Sequence, residues 1–391
     1  MSNIVICEIS ALGHINPMLN LASQMVSSGH VVFFYTTNRY EKKIIEKEGI
    51  IFKDIGENFR ILDDILAQEG GSLRFLFEQA NIGMESLEYL LESIRSDSPD
   101  CLIFDFMCVW GKLIAEILKI KSISFFPSFV LNMDDMRKGH ISSGNENQIK
   151  KYFDSFTRKC KLVSQEYGIK EIGFENLFFN DSELNIVCTT RSFQPNAERI
   201  DNKFVFIGPL FNNSVKLVDQ KKKQIYISMG TVYGKKDIFL IRSWIETFGR
   251  IDYKVILIGE EKFIVENFEI PQNFEIHEYI DQTKILSESM LFITNGGFNS
   301  VSEAIASEVP MIVIPQGADN FSVASRVSEL RIGEMLLQKK LNKELLYEKA
   351  MKLIRRENMD LDMLSELGNE FRGMSEKNNA VNVIKDYIQK K

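Results

Sequence analysis

Short apolar runs alternate with segments of helical periodicity along the whole chain, and this alternation limits the folds that the chain can adopt. In the first half, the strand-like runs are Ile4–Ile9, Val31–Tyr35, Cys101–Phe104, Ser122–Phe126, Leu184–Cys188 and Phe204–Pro209. In the second half, they are Gln224–Ser228, Lys254–Ile258, Phe274–His277, Leu291–Thr294 and Met311–Ile314. Helical segments lie between them, at Gly111–Leu118 and near 237–249, 283–288 and 299–307. Because repeated strand–helix–strand units form parallel sheets with helices on both faces, the sequence predicts an α/β protein with two parallel-sheet domains.

The segment between the first two strands carries a helix signal and a histidine motif. Asn16 and Pro17 have the residue types of a helix N-cap and a first helical position, and Gly29 has that of a helix stop. Apolar residues recur at helical spacing between these signals. The pattern therefore predicts that the segment Leu12–Pro17, which contains His14, is a loop between the first strand and the first helix.

Bulk properties argue against several classes of protein. The 391 residues are enough for two domains, and a net charge of −7 gives no support for binding nucleic acid. No run approaches the ~18–20 apolar residues of a membrane-spanning helix, and the N-terminus shows no signal-peptide pattern. The cysteines have no metal-ligand spacing, so we expect free thiols in a cytoplasmic protein. They are Cys7, Cys101, Cys108, Cys160 and Cys188.

The segment Phe292–Glu303, followed by Pro315–Asn320, has the pattern of a phosphate-binding turn. It consists of a buried strand, a Gly-Gly turn, a helix start and a second strand that ends in a polar loop. The start of a helix presents unpaired N–H groups and a positive dipole end, which bind phosphate. Gly296 and Gly297 allow the backbone to come close to a diphosphate.

Polar side chains follow the Gly-Gly turn at helical spacing. Asn299 and Ser300 have the residue types that cap a helix and donate to an anion. Glu303 lies one turn into the predicted helix, where its carboxylate can accept hydrogen bonds from ribose hydroxyls. A lone Gly-Gly turn is more often a structural loop, and it is the ordered set of polar residues that favours a nucleotide site.

His14 has the sequence setting of a general base. Ligands of open α/β sheets bind at the carboxyl ends of strands, and a helix N-terminus nearby keeps an imidazole neutral. Asp105, at the end of the strand Leu102–Asp105, is the candidate to orient the ring through its second nitrogen. The alternatives are that His14 is an ordinary loop or capping residue and that Asp105 is an N-cap ahead of the helix Gly111–Leu118.

These motifs, taken together and in this order, resemble the signature of family 1, the UDP-glycosyltransferases. Tyr279–Gln282 stands at the place of the family's W-x-P-Q motif, and the donor signature H-x-G-x-N-S-x-x-E followed by D-Q comes next. The residues that match the donor signature and its acidic pair are Gly297, Asn299, Ser300, Glu303, Asp319 and Asn320. The Gly-His-x-Asn-Pro loop and the strand-end aspartate also match the family's catalytic pair. The bacterial macrolide and flavonoid glucosyltransferases are similar in all of these features.

The resemblance implies the GT-B fold, in which two Rossmann-like domains with parallel sheets face a cleft. It implies an N-terminal acceptor-binding domain at 1–211, a linker at 212–223 and a nucleotide-sugar-binding domain at 224–375. The segment 376–391 is then a C-terminal helix that returns to the first domain. Acceptor-binding elements are expected in the less regular stretch 129–182, which is rich in Phe and Met.

Carried over by position, the resemblance implies a nucleotide site in the second domain. Tyr279 stacks on the base, the backbone of Ile280 reads the edge of the base, and Gln282 reaches the ribose. A half-buried strand end is the alternative for Tyr279. The other donor-binding residues that the resemblance implies are Gly13, Ser228, Gly230, Thr231, Asn295, Gly296, Gly297, Phe298, Asn299, Ser300, Glu303, Asp319 and Asn320.

Two positions depart from the family motif. Asn295 stands where the family has a histidine at the diphosphate, and a neutral hydrogen bond is about half as strong as a charge-assisted one. Asn320 stands where a glutamine contacts the sugar, and its side chain is one methylene shorter. The sequence therefore leaves the sugar and the nucleotide of the donor open.

The resemblance implies an inverting transfer of a hexose, with glucose expected, from a UDP-sugar co-substrate to a hydroxyl of a hydrophobic small molecule. It implies no metal and no further cofactor, since no Asp-x-Asp pair accompanies the diphosphate motif. The expected acceptors are macrolides, flavonoids or other natural products. Two alternatives remain, a GT-B-like sugar-nucleotide epimerase with acidic residues at the anomeric carbon and a non-catalytic partner protein that binds a nucleotide sugar.

Overall fold

The computed structural model of the chain describes residues 1–9, 11–37, 49–66, 71–130, 146–211, 215, 217, 223–230, 237–376 and 379–390. These residues form two compact units. The first unit contains Met1–Leu210 and Lys377–Lys391, and the second contains Phe211–Glu376. The predicted linker at 212–223 lies mostly outside the described residues.

Strands and helices alternate through both units. The strands are β1 (Asn3–Cys7), β2 (Val31–Thr36), β3 (Ile51–Asp54), β4 (Cys101–Asp105), β5 (Lys121–Phe126), β6 (Leu184–Val187), β7 (Phe204–Phe206), β8 (Gln224–Ser228), β9 (Lys254–Ile258), β10 (Phe274–His277), β11 (Ser289–Thr294), β12 (Met311–Val313) and β13 (Gly333–Met335). The helices are α1 (Leu12–Ser27), α2 (Ile61–Leu66), α3 (Gly71–Glu85), α4 (Leu87–Ser96), α5 (Val109–Leu118), α6 (Glu146–Tyr167), α7 (Ile238–Phe248), α8 (Glu261–Asn267), α9 (Gln282–Ser287), α10 (Phe298–Ala306), α11 (Ala318–Glu329), α12 (Lys343–Ile354), α13 (Leu361–Glu376) and α14 (Asn379–Gln389). None of these described helices is both long and apolar enough to cross a membrane.

The sheet of the first unit has the strand order β3-β2-β1-β4-β5-β6-β7, and its described pairings are all parallel. Apolar side chains pack on both of its faces, because a parallel sheet is covered by helices on each side. Met18 and Leu21 of α1 and Ile384 of α14 belong to one core. The other core contains Trp110 of α5 and Phe77 of α3. The strand order reverses between β1 and β4, which makes their carboxyl ends a topological switch point.

The last helix, α14, is part of the first unit. Lys121 at the start of β5 donates to the backbone oxygens of Tyr387 and Ile388, at 3.0 and 2.9 Å. A lysine at these carbonyls also complements the negative end of the helix dipole. Apolar packing at Ile384 and this cap therefore hold the C-terminal helix on the N-terminal unit.

The sheet of the second unit has the order β10-β9-β8-β11-β12-β13, which repeats the pattern of the first six strands of the other sheet. Its described pairings are also parallel. Trp244 and Phe248 of α7 pack on one face with Leu346 of α12. The switch point of this sheet lies between β8 and β11. The predicted fold class, α/β with two parallel-sheet units, is confirmed.

Two local predictions are wrong. The first helix begins at Leu12 and not near Pro17, because the N–H groups of His14 and Ile15 already donate to the carbonyl of Ala11, at 2.8 and 2.9 Å. His14 therefore lies in the first turn of α1 and not in a loop. The stretch 129–182 is more regular than expected, since α6 spans 22 residues of it with polar side chains on its outer face.

Candidate active site

His14 and Asp105 meet at the switch point of the first sheet. The chain leaves β1 at Cys7 and turns into α1, which carries Gly13 and His14 in its first turn. Asp105 is the last residue of β4, the strand beside β1. Adjacent parallel strands that end together bring these two parts of the chain to the same edge of the sheet.

The imidazole of His14 is held by a buried carboxylate. Its Nδ1 lies 2.7 Å from Oδ2 of Asp105, and the side chains of the two residues are 21% and 0% exposed. The other carboxylate oxygen accepts the backbone N–H of Met107 at 2.8 Å, and the Phe106 ring stacks on the imidazole at 5.9 Å. A carboxylate at Nδ1 favours the tautomer whose Nε2 accepts a proton. The arrangement can therefore remove a proton from a hydroxyl group.

A third ionisable side chain, Glu8, lies beside this pair and was missed by the sequence analysis. Glu8 is 0% exposed, and one oxygen of its carboxylate lies within 4.8 Å of a ring nitrogen of His14 and of a carboxylate oxygen of Asp105. The 2.7 Å separation of Nδ1 and Oδ2 is a hydrogen-bond distance, whereas two ligands on one zinc ion with bonds of ~2.0–2.2 Å lie about 3.3 Å apart. In this structure His14 and Asp105 are therefore hydrogen-bonded to each other, and we describe the cluster as an acid–base group. The sequence signal that could have identified Glu8 is an acidic residue directly after a buried strand.

In the second unit, the Gly-Gly turn lies at the end of β11. Gly296 has a φ of +86°, and a side chain at this position would place its Cβ 2.6 Å from Cγ1 of Val313 and 3.3 Å from the backbone oxygen of Asn320. The turn therefore requires glycine for its backbone conformation and for the close approach of the end of β12 and the start of α11. The two segments of the predicted donor motif are in contact here.

Asn295 is buried within this turn. Its Oδ1 accepts the backbone N–H of Gly297 at 3.3 Å, and 8% of the residue is exposed. Its amide nitrogen faces Gly230, which has a φ of +74° and would place a Cβ 3.2 Å from that nitrogen. Asn295 thus connects the loops that follow β8 and β11. Ser228, at the end of β8, is 7% exposed, and Thr231 lies outside the described residues.

Helix α10 begins directly after the turn. Its N-cap is Gly297 and its first residue is the buried Phe298, with no side-chain cap. The prediction that Asn299 and Ser300 cap the helix is therefore wrong, because the helix begins before them and places both in its first turn. Ser300 accepts a hydrogen bond from Nε2 of Gln282 at 3.1 Å.

Glu303 and Gln282 form a polar network on α10 and α9. Nε2 of Gln282 donates to Oε2 of Glu303 at 2.6 Å, and Oε1 of Gln282 accepts from the hydroxyl of Tyr226 at 3.1 Å. Tyr226 is buried and stacks on Phe292. Burial raises the pKa of Glu303 to about 7, the bond from Gln282 acts in the opposite direction, and the charge of Asp281 raises it further.

Tyr279 and Ile280 lie between β10 and α9. The side chain of Tyr279 is 89% exposed, so that a face of its ring is open to solvent, and Ile280 is half-buried. Asp281 caps α9 by accepting the N–H of Lys284. The structure therefore presents Tyr279 beyond the strand end and not as a half-buried strand residue.

The acidic pair of the predicted motif lies at the start of α11. Asp319 is the second residue of this helix, and its side chain lies outside what the structure describes. Asn320 is 5% exposed and packs against Gly296.

Known proteins are similar to this chain over most of its length. Residues 242–375 match the family described as "Erythromycin biosynthesis protein CIII-like, C-terminal domain". The NDP-glycosyltransferase YjiC of Bacillus licheniformis is 30% identical over 356 residues, which cover 85% of each chain. The uncharacterized UDP-glucosyltransferase YojK of Bacillus subtilis is 26% identical over 403 residues, which cover 100% of this chain and 98% of the relative.

The fold is also that of solved glycosyltransferases. A crystal structure of the glycotransferase of kitacinnamycin superposes with a TM-score of 0.83 at 22% identity and covers 99% of this chain and 98% of its own. At that identity the likeness shows the shared GT-B fold, while the sequence relatives show the family. The chain therefore belongs to the family 1 glycosyltransferases.

Proposed function

We propose that this glycosyltransferase moves a hexose, with glucose as the first candidate, from a UDP-sugar to a hydroxyl of a hydrophobic natural product. His14 is the general base, and Asp105 orients it. The anomeric configuration inverts, and neither a metal ion nor a further cofactor takes part. The observation that carries the proposal is the 2.7 Å bond between Nδ1 of His14 and Oδ2 of Asp105.

The geometry of this pair suits proton removal from an acceptor hydroxyl. Asp105 is fully buried and its second oxygen is fixed by the N–H of Met107, so the carboxylate has little freedom to rotate. His14 is the part of the pair that reaches solvent, at 21% exposure of its side chain. A base that is oriented from behind and accessible in front can accept a proton from a bound substrate.

The reaction proceeds as a single displacement. Nε2 of His14 takes the hydroxyl proton while the acceptor oxygen attacks the anomeric carbon of the sugar. The bond between that carbon and the diphosphate oxygen breaks, and UDP leaves with the bonding electron pair. Attack opposite the leaving group inverts the configuration at the anomeric carbon. His14 then carries the proton, and the negative charge of Asp105 stabilises the imidazolium.

The second unit supplies features that suit the nucleotide. The exposed ring of Tyr279 suits stacking on a base, and the half-buried carboxylate of Glu303, held by Gln282, suits the hydroxyls of a ribose. The start of α10 behind Gly296 and Gly297 suits a diphosphate. The designation of the relative YojK as a UDP-glucosyltransferase supports UDP-glucose as the first donor to test.

A hydrophobic acceptor is supported by the surroundings of His14. The Phe106 ring stacks on the imidazole and on Phe126, within a core rich in aromatic side chains. Kitacinnamycin, named in the structural relative, supports a natural product as the acceptor class. The epimerase alternative needs acidic groups in contact with substrate, but Glu8 and Asp105 are both 0% exposed behind His14.

The test is a donor panel followed by product analysis. Calorimetry compares UDP-glucose, UDP-galactose, UDP-N-acetylglucosamine and dTDP-glucose, and mass spectrometry then follows a mixed set of phenol and macrolide acceptors. We expect an acceptor that gains one hexosyl unit, and a β-linkage by NMR when the donor is α-configured UDP-glucose. Donor binding without transfer to any acceptor of the set contradicts the proposal and supports the non-catalytic alternative. An α-linked product contradicts inversion.

A further inference from the structure

Glu8 and Asp105 occupy equivalent positions on neighbouring strands. The parallel register pairs Cys7 of β1 with Phe104 of β4, so the residues that follow, Glu8 and Asp105, are side by side. Side chains at paired positions of adjacent strands point to the same face of the sheet. The backbone of Glu8 is fixed in this place because its N–H donates to the carbonyl of Tyr35 on β2, at 3.2 Å.

Two carboxylates and one imidazole therefore share a small space. One carboxylate oxygen each of Glu8 and Asp105 and one ring nitrogen of His14 all lie within 4.8 Å of one another. Both acids are fully buried. Buried carboxylates this close disfavour each other's ionised form, and a positive charge between them relieves the repulsion. Protonation of His14 supplies that charge.

Three buried thiols and one phenol near Glu8 are neutral near pH 7. Burial raises the pKa of the Cys7 thiol on β1, of Cys108 ahead of α5 and of Cys188 after β6. Burial also raises the pKa of the Tyr35 phenol on β2, which donates to Asp97. Charged groups also lie on these elements: Lys112 and Glu116 of α5 form an ion pair at 3.3 Å, and Asp97, which accepts from Tyr35, pairs with Lys53. The carboxylates of Glu8 and Asp105 and the imidazole of His14 are the groups that lie together at the switch point.

We propose that Glu8 is a positioning residue whose carboxylate is a second anion for the imidazolium of His14, so that His14 holds its proton more tightly than the bond to Asp105 alone allows. This inference rests on the proposed function, because it concerns proton transfer by His14. The physical consequence is that His14 is a stronger base, and the acid limb of the pH profile of kcat/KM lies at higher pH. Two unit charges about 5 Å apart interact strongly enough, even at an effective dielectric constant of about 20, to shift a titration by more than about one pH unit.

The direct test is an NMR titration of the four histidines in the full chain. His14→Asn identifies the His14 ring signal by its loss. We expect the titration midpoint of His14 to fall by about one pH unit or more in Glu8→Gln, while that of His30 does not change. In Glu8→Asp, which keeps the charge, the titration midpoint of His14 is expected to stay close to that of the wild type. An unchanged His14 midpoint in Glu8→Gln overturns the proposal.

The proposal stays testable if Glu8→Gln does not fold. Glu8→Met keeps the length of the side chain and removes the charge, and it is expected to give the same shift. The wild-type chain is itself informative, because a His14 midpoint at or below the ordinary value of ~6.5 overturns the proposal without any variant.

The pH profile of kcat/KM separates this role from a structural one. We expect the acid limb of Glu8→Gln to move to lower pH by the same amount as the His14 midpoint, so that the variant loses activity at high pH and retains relatively more at low pH. A structural defect lowers activity at every pH, and that result overturns the proposal. Glu183→Gln, an exposed carboxylate of the same unit, is the matched control and is expected to change neither curve. A shifted His14 midpoint with an unshifted rate profile leaves the link between Glu8 and His14 standing and contradicts the role of His14 as the base.

Discussion

The amide of Gln282 donates a 2.6 Å hydrogen bond to the carboxylate of Glu303, and this bond joins the start of α9 to the middle of α10. The same amide is also bonded to Ser300, and its oxygen accepts from Tyr226. The carboxylate that we assign to a ribose is therefore fixed before any ligand binds. Burial also raises the pKa of Glu303 to about 7, so we expect the binding of the proposed donor to depend on pH.

The affinity for UDP-glucose is expected to fall as the pH is lowered from 8 to 6. In the proposed complex the ribose hydroxyls donate to Glu303, so we expect binding to favour the ionised carboxylate, which is lost as pH falls through about 7. The loss approaches tenfold at pH 6 if the ionised form alone binds. UDP-glucose is the suitable ligand, because its diphosphate diester does not titrate in this range. Calorimetry of Glu303→Gln is the control, and a pH dependence equal to that of the wild type contradicts the assignment.

The same group makes a predictable contribution to stability. Because the folded-state pKa of Glu303 is raised to about 7, its contribution is fully present below the ordinary value of 4.5 and is lost as the pH rises through about 7. As the pH rises from 4.5 to about 7, the denaturation midpoint of Glu303→Gln is expected to fall less than that of the wild type. Parallel curves for the two proteins would show that Glu303 titrates normally.

His14→Ala is expected to reduce transfer by about 10²–10⁴-fold, which is the usual contribution of a positioned general base. Donor binding is expected to remain intact, because His14 is not among the residues assigned to the donor, all of which except Gly13 belong to the second unit. Steady-state kinetics and calorimetry measure the two effects separately. His30→Ala is the matched control, and unchanged turnover of His14→Ala removes His14 from the mechanism.

Asp105→Asn is expected to slow transfer less than His14→Ala does. The asparagine can still accept the N–H of Met107 through its oxygen, but its amide group no longer stabilises an imidazolium or selects the tautomer. The thermal midpoint is measured beside kcat. A loss of activity that follows a loss of folding indicates that Asp105 acts as a structural cap.

Glu303→Ala and Asp319→Ala are expected to separate the two ends of the donor. Glu303→Ala weakens both UDP and UDP-glucose, because the lost contact is to the ribose. Asp319→Ala spares UDP and weakens the intact donor, because the lost contact is to the sugar hydroxyls. Each effect is expected to be roughly 10–150-fold, the value of a hydrogen bond to a charged group. Equal effects of both variants on UDP contradict the placement of the sugar.

Gly296→Ala is expected to destabilise the second unit by about 1–3 kcal/mol, since the φ of +86° and the contact with Val313 both oppose a side chain. Gly373→Ala, within α13, meets no atom within 4 Å and is expected to stabilise the chain by up to about 1 kcal/mol. Denaturant unfolding measures both. If the two alanines have the same sign of effect, the turn at Gly296 is not constrained as the structure shows.

Much of the second unit follows from local sequence. The strands Gln224–Ser228, Lys254–Ile258 and Phe274–His277 were predicted from end to end. The first two contain runs of apolar residues, as buried strands of a parallel sheet do, and the third alternates apolar with polar residues at the edge of the sheet. The helices α2, α3, α4, α6, α8 and α11 to α13 were not predicted. Most of the stability of a helix in a folded protein comes from the packing of its apolar face, which local sequence does not show.

The candidate site divides in the same way. The sequence alone predicts the spacing of the motif around Glu303 and the position of Asp105 at a strand end, because each depends on residues that are close in the chain. The place of Glu8 beside Asp105 is decided by the register of β1 against β4, two strands almost a hundred residues apart. The start of α1 at Leu12 and the turn of Asn295 toward Gly297 also depend on hydrogen bonds that form only in the folded chain. Local patterns therefore determined which residues have the chemistry, and the pairing of distant strands decided which of them act together.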